Sequence, residues 1–247
     1  MRTAKLAGAL AALCPVLLST ALHAEPNDYV HTPIVEEGEK EIDFKWGTER
    51  HRHEPSANAT SIGFGYGATS WWFTELYAKW RRDPGEGSGF DAWEWENQFQ
   101  LAPTGKYPVD LGVFLEIERP KDRSEGYELT FGPLFQSEWG RIQGNFNVML
   151  QRHVRATESF DTVLKYQAQL KYRASELLEW GAQAFGDLGR WDRWSSSSQQ
   201  EHKIGPALFG RFKVGAAQAI RWNAALLFGA TSASPSTSMR VQAEYEF

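Results

Sequence analysis

The chain has 247 residues, of which 14% are aromatic and 23% are charged, and its formal net charge is −5. This acidic balance argues against nucleic acid as a partner, because binding to phosphates needs an excess of Lys and Arg. The single cysteine, Cys14, lies in an apolar stretch at the N-terminus, so no disulfide, thiolate-metal or cysteine-nucleophile chemistry is expected of the remaining chain.

The first residues have the layout of a secretory signal peptide. Arg2 and Lys5 give a positive start, residues 6–22 are almost wholly apolar, and Ala24 offers a small residue for cleavage. We therefore predict a signal peptide at residues 1–24. After it, the sequence holds no apolar run that approaches the ~18–20 residues of a membrane-spanning helix.

Apolar and polar residues then alternate in segment after segment, as they do in β-strands with one apolar and one polar face. The first segment sets Ile42, Phe44 and Trp46 against Asp43 and Lys45. About twelve such segments follow one another, and their connections alternate between short turns and longer polar loops. An even number of strands with this alternation is typical of bacterial outer-membrane barrels.

The aromatic residues favour a membrane barrel over a soluble one. A mean hydropathy of −0.48 together with 11 Trp, 15 Phe and 8 Tyr fits strands of which only alternate residues meet lipid. Trp72 and Trp180 fall near short turns and Trp80 and Trp93 near long loops, as two aromatic girdles would. We therefore predict an all-β fold, a transmembrane antiparallel up-and-down β-barrel of about 12 strands, at residues 40–247.

An even strand count places both chain ends on the side of the short turns, which we expect to be the periplasm. The predicted localisation is the outer membrane of a Gram-negative bacterium. Residues 25–39 are then expected to form a periplasmic N-terminal tail, or a partial plug of the barrel.

The last strand, residues 239–247, alternates strictly and ends on phenylalanine. It resembles the closing strand of Gram-negative outer-membrane proteins, and the resemblance implies that Tyr245 and Phe247 are the signal read by the barrel-assembly machinery. The run Gly63–Thr69 before a tight turn resembles small porin-like proteobacterial barrels, among them transporters of the phenol-degradation meta-pathway type. The resemblance implies a small-molecule solute as cargo.

The inward-facing charges predict two walls. Strands four to six carry an acidic wall, made of Glu94, Glu96, Asp110, Glu116, Glu118, Glu128 and Glu138. Strands eight and ten to twelve carry a basic wall, made of Lys165, Lys171, Arg173, Lys203, Arg211, Lys213, Arg221 and Arg240. Strand five lies opposite strand eleven in a ring of twelve, so the two walls face each other, as in porin constrictions. This predicts a narrow passive channel for small polar or aromatic solutes.

Two other functions stay open. Opposite charges that pair across a narrow lumen would give a closed structural or surface-interaction barrel. An outer-membrane lipid hydrolase would need an outward Ser and His, for which Ser232 and His202 are the candidates, but no orienting Asp or Asn is in register. We expect no enzyme, no catalytic residue, no metal and no cofactor.

The surroundings of such a barrel are also predicted. Outer-membrane lipids would cover its apolar face. Basic residues near the long loops, Arg81, Arg82, Lys121 and Arg123, are placed to meet lipopolysaccharide phosphates.

Overall fold

The computed structural model describes residues 26, 28–52, 55–175 and 177–247. The signal peptide predicted at residues 1–24 lies outside the described residues.

Twelve strands make up the described fold. They are β1 (Lys40–Arg50), β2 (Ala57–Thr69), β3 (Trp72–Arg82), β4 (Gly89–Gln100), β5 (Asp110–Pro120), β6 (Tyr127–Trp139), β7 (Ile142–Val154), β8 (Val163–Tyr172), β9 (Glu179–Arg190), β10 (Glu201–Lys213), β11 (Ala219–Gly229) and β12 (Thr237–Glu246). A single 3₁₀ turn, Arg123–Glu125, lies between β5 and β6. Within the described ranges, no helix is long and apolar enough to cross a membrane.

The strands form one closed antiparallel barrel in which each strand pairs with its neighbours in sequence and β12 returns to pair with β1. The closing ladder runs from Glu41 opposite Glu246 to Arg50 opposite Thr237. Closure leaves no strand edge unpaired, which is how barrels avoid edge-to-edge aggregation. The predicted fold class and strand number are confirmed.

Burial alternates along the strands with the polar residues inside. On β1, Asp43 and Lys45 are 1% and 3% exposed, whereas Ile42 and Phe44 are 46% and 41% exposed. This is the reverse of a soluble barrel, and it fits an outer face that meets lipid and an inner face that is polar.

The two rims of the barrel differ. We call one rim the turn end, where the connections are residues 70–71, 101–109, 140–141, 173–178 and 214–218, and four of these five have at most six residues. The opposite rim is the loop end, where the connections are residues 51–56, 83–88, 121–126, 155–162, 191–200 and 230–236. Both ends of the barrel chain meet at the turn end, where the Phe247 amide donates to the Lys40 carbonyl at 2.9 Å.

Replacing Leu76 by Arg tests whether the outer face meets lipid. Leu76 lies in the middle of β3 and is 53% exposed. An arginine at the centre of the bilayer destabilises such barrels by about 2–4 kcal/mol, whereas near the interface it costs about 0–1 kcal/mol. Leu101→Arg, in the β4–β5 turn, is therefore the matched control. Urea unfolding in lipid vesicles measures both, and equal losses would place the outer face in water.

Candidate functional site

Residues 28–39, the N-terminal segment, lie inside the barrel and run from its middle to the turn end. The Tyr29 hydroxyl donates to Oε2 of Glu96, in the middle of β4, at 2.5 Å. The Val35 amide donates to Oε1 of Gln100, the last residue of β4, at 2.8 Å. The chain therefore runs along the inner wall from the middle of the barrel to the turn end, where β1 begins.

Missing side chains on the inner wall make room for this segment. The inward positions of β2 near the turn end are glycines, and a Cβ on Gly67 would lie 1.9 Å from the Glu36 carbonyl oxygen. Gly67 instead forms two backbone hydrogen bonds with the segment, accepting from Gly38 at 2.8 Å and donating to Glu39 at 2.9 Å. On β5, a Cβ on Gly112 would lie 2.9 Å from Cβ of Pro33.

The tip of the segment, residues 28–35, contacts the wall through a buried lysine. The Lys45 ammonium lies 3.6 Å from the ring centroid of Tyr29 and 3.5 Å from that of Tyr77, and it is 3.1 Å from Oε1 of Glu96. Cation–π contacts are strongest when the cation is shielded from water, about 2 kcal/mol or more. Lys45 is almost fully buried, so this cluster holds Tyr29 against β1 and β4.

His31 is the second contact of the tip. Its ring lies 3.8 Å from the ring of Phe114, and its carbonyl accepts from Nδ2 of Asn147 at 2.9 Å. Burial, together with the Lys45 ammonium, lowers the pKa of His31 to about 3, so its imidazole is neutral at physiological pH.

The segment divides the lumen into two cavities. The loop-end cavity has a volume of about 70 Å³, and the turn-end cavity has a volume of about 940 Å³. Tyr29 and His31 line both. The tip of the N-terminal segment is therefore the partition between them.

The residues of the predicted acidic wall lie at different heights. Five lie between the middle of the barrel and the loop end, where Glu96 is opposite Glu116, and Glu118 is opposite both Glu94 and Glu128. The other two lie at the turn end. Asp110 accepts from the Gly105 amide at 2.7 Å and so stabilises the β4–β5 turn. Glu138 accepts two hydrogen bonds from the Arg173 guanidinium, at 2.7 and 2.9 Å.

Lysines on β1 and β3 neutralise much of the acidic wall. The Lys79 ammonium is 2.8 Å from Glu94 and 2.5 Å from Glu118, and the Lys45 ammonium contacts Glu96. Both lysines are buried. Their inward parity was visible in the sequence, but reasoning from the sequence did not count them as partners of the wall.

The predicted basic wall also has local partners. Lys171 lies 2.9 Å from Glu179 in a partly exposed pair, and Lys203 pairs with Glu49 in a buried one. Arg211 and Arg221 both contact Glu246. Arg240 donates to the Gln183 amide oxygen at 2.7 Å and to the Asp28 carbonyl of the N-terminal segment. Lys165 lines the loop-end cavity and Lys213 lines the turn-end cavity. Glu49, Glu179 and Glu246 were not part of the sequence prediction. The Arg173–Glu138 pair joins the two walls. Most other charges of either wall are instead neutralised by residues that belong to neither wall, such as Lys79 and Glu246.

The structure does not bring together the residues considered for lipid hydrolysis. The Ser232 hydroxyl donates to the Ser198 carbonyl at 2.9 Å. Both ring nitrogens of His202 have other partners, the Tyr166 hydroxyl at 3.0 Å and the Gln200 amide oxygen at 2.9 Å. A serine nucleophile needs a hydrogen bond to its base, and this pair has none.

The residues of the predicted assembly signal lie at the turn end. The rings of Tyr245 and Phe247 stack at 5.6 Å and are 37% and 43% exposed. Both therefore belong to the outer face of the barrel.

Known proteins share this fold. No family model matches the chain, and no curated protein matches it. An outer-membrane channel from Pseudomonas putida F1 has a TM-score of 0.58 at 9% identity, over 91% of this chain and 99% of that one. The KdgM porin in complex with disordered oligogalacturonate has a TM-score of 0.58 at 8% identity, over 84% and 99%. The NanC porin has a TM-score of 0.56 at 9% identity, over 83% and 98%.

At this level of identity the similarity establishes the fold. The chain has the fold of bacterial outer-membrane β-barrels, and its exposed apolar outer face fits a lipid environment.

Removing the charge of Lys79 tests how much the buried ion pairs hold the lumen together. Lys79→Met leaves two buried carboxylates without their cation, which costs about 3–5 kcal/mol. Arg81→Met is the control, because its pair with Asp83 is partly exposed and contributes about 0–1 kcal/mol. Urea unfolding curves give both values. A loss for Lys79→Met no larger than for Arg81→Met would contradict a stabilising role.

Proposed function

We propose that this protein is a narrow passive channel for small polar or aromatic solutes in the outer membrane of a Gram-negative bacterium, with the turn end in the periplasm. The observation that carries the proposal is the pair of cavities separated by the tip of the N-terminal segment. Without that tip, the two cavities would join into one polar space. In this proposal the residues predicted as a tail or plug serve as the plug.

The contacts of the tip support a plug that can move. At residues 28–35 the segment is held by side chains of the wall: hydrogen bonds join it to Glu96, Gln100, Asn147 and Arg240, and the Lys45 ammonium lies over the Tyr29 ring. Water or a polar solute can replace each hydrogen bond, which contributes about 0.5–1.5 kcal/mol between neutral groups and about 1.5–3 kcal/mol to a charged group. The buried cation–π contact adds about 2 kcal/mol. The two backbone hydrogen bonds at Gly67 anchor the other end of the segment, so the tip can leave while the segment stays attached.

The lining of the turn-end cavity supports the proposed class of solute. Amide side chains such as Gln98, Gln136 and Asn223 alternate there with charged groups and with the aromatic rings of Phe73 and Phe209. A cavity of this size and mixed lining accommodates small polar or aromatic molecules. One barrel of similar fold is a porin in complex with oligogalacturonate, and the resemblance of Gly63–Thr69 to phenol-pathway transporters favours aromatic solutes.

The proposed setting brings further partners. The exposed Tyr245 and Phe247 at the end of the closing strand support recognition by the barrel-assembly machinery. Arg82 and Lys121 at the loop end support contact with lipopolysaccharide phosphates.

Deleting residues 28–35 is expected to open the channel, because it removes the partition and leaves the Gly67 anchor. In planar lipid bilayers the full chain should give small or infrequent currents, and the deletion variant should give larger ones.

Gly67→Ala should raise the open fraction as well, because the added methyl group occupies the position of the Glu36 carbonyl. Gly89→Ala, where a Cβ meets nothing within 4 Å, is the control. A correctly folded deletion variant that stays silent would favour the closed structural barrel.

Neutralising two arginines is expected to change ion preference. Arg211 and Arg221 line the turn-end cavity and are partly exposed. In the Arg211→Gln/Arg221→Gln double variant Glu246 loses both partners, so the reversal potential in a KCl gradient should shift toward cations. Arg190→Gln, at the loop-end terminus of β9, should leave the reversal potential unchanged. An unchanged potential in the double variant would place these arginines outside the ion path.

A further inference from the structure

Three carboxylates converge in the loop-end cavity. Glu94, Glu96 and Glu116 each offer an oxygen atom, and these atoms all lie within 4.8 Å of one another. The register of the barrel produces the cluster, because Glu96 and Glu116 are directly opposite on β4 and β5 and Glu94 is two residues from Glu96 on the same inner face. Side chains two apart on a strand share a face, so all three point into the lumen.

Unpartnered oxygen atoms extend the same row of residues. Thr130 is opposite Glu116, and Gln151 is opposite Thr130. Both side chains are more than nine-tenths buried and line the loop-end cavity. The Thr130 hydroxyl and the Gln151 amide oxygen have no hydrogen-bond partner among the described residues. Burying such groups unpaired costs free energy. A bound ion that these oxygen atoms coordinate would remove that cost.

The charge of the cavity points to a cation. Of the three clustered carboxylates, Glu94 contacts the Lys79 ammonium at 2.8 Å and Glu96 contacts the Lys45 ammonium at 3.1 Å, so the cluster holds one more negative than positive charge. Glu116 itself makes no hydrogen bond or ion pair with the described residues. A cation at the cluster would offset this excess.

We propose that the loop-end cavity binds one hard divalent cation of the Ca²⁺ type, through carboxylate oxygens of Glu94, Glu96 and Glu116 and the hydroxyl of Thr130. Carboxylates and neutral oxygens are the ligands that such cations prefer, and Ca²⁺ tolerates irregular arrangements of them. The site lies where the N-terminal segment meets the wall, because Glu96 also accepts the hydrogen bond of Tyr29. Binding at this site does not depend on whether the barrel conducts.

Calorimetric titration with Ca²⁺ tests the site in the purified full-length barrel in detergent. We expect saturable binding of one Ca²⁺ per chain, and an affinity about tenfold or more lower in Glu116→Gln, which removes one charged ligand. Thr130→Val keeps all three carboxylates and the side-chain shape, so it should weaken binding less. Glu158→Gln removes a carboxylate from the exposed β7–β8 loop and should bind as the unaltered chain does.

Heat-dependent gel mobility and circular dichroism identify variants that have folded. The proposal is overturned if the unaltered chain shows no saturable heat of binding, or if folded Glu116→Gln and Thr130→Val both bind Ca²⁺ as tightly as the unaltered chain. Conductance measurements are not needed for either outcome, so a silent barrel that binds Ca²⁺ would refute the channel and keep the site.

Discussion

The requirement that every backbone N–H and C=O group be hydrogen-bonded inside a hydrocarbon layer governs this protein. A sheet meets that requirement in lipid only when it closes, and β12 pairing with β1 closes it here. Closure gives each strand one face toward lipid and one toward the lumen, so polar and apolar residues must alternate. The exposed isoleucine and the buried aspartate that are neighbours on β1, Ile42 and Asp43, both follow from this single constraint.

The polar face then has to be satisfied in a space that is largely shielded from water. A buried charge needs a partner within reach of its side chain, on an adjacent strand or a few strands away. Lys79 on β3 therefore meets Glu94 on β4 and reaches Glu118 on β5, and Lys203 meets Glu49 across β11 and β12. Pairing at this range weakens the field that two opposed walls would produce, and it concentrates the unbalanced charge around Glu116.

The number of strands and the set of residues that face the lumen were predictable from the sequence. Each strand shows by its own alternation of polar and apolar residues which side chains face inward. The ion-pair partners were not predictable, since they depend on how far a side chain reaches across two or three strands. The contact of Tyr29 with Glu96, 67 residues apart, leaves no trace in any local pattern. One signal was available: β2 carries glycines at the inward positions 63, 65 and 67, and a wall without side chains implies that something else fills the space.

What fills that space differs from one glycine to the next, and the difference bears on how the lumen opens. At Gly63 the ring of Tyr77 takes the room, so that part of the wall is complete without the N-terminal segment. At Gly67 the segment itself does, through backbone hydrogen bonds that no side chain can replace. The barrel is therefore built around the base of the segment, whereas the tip rests on side chains of a wall that is already packed. A device with a fixed base and a replaceable tip is what a plug requires if it is to move aside and return.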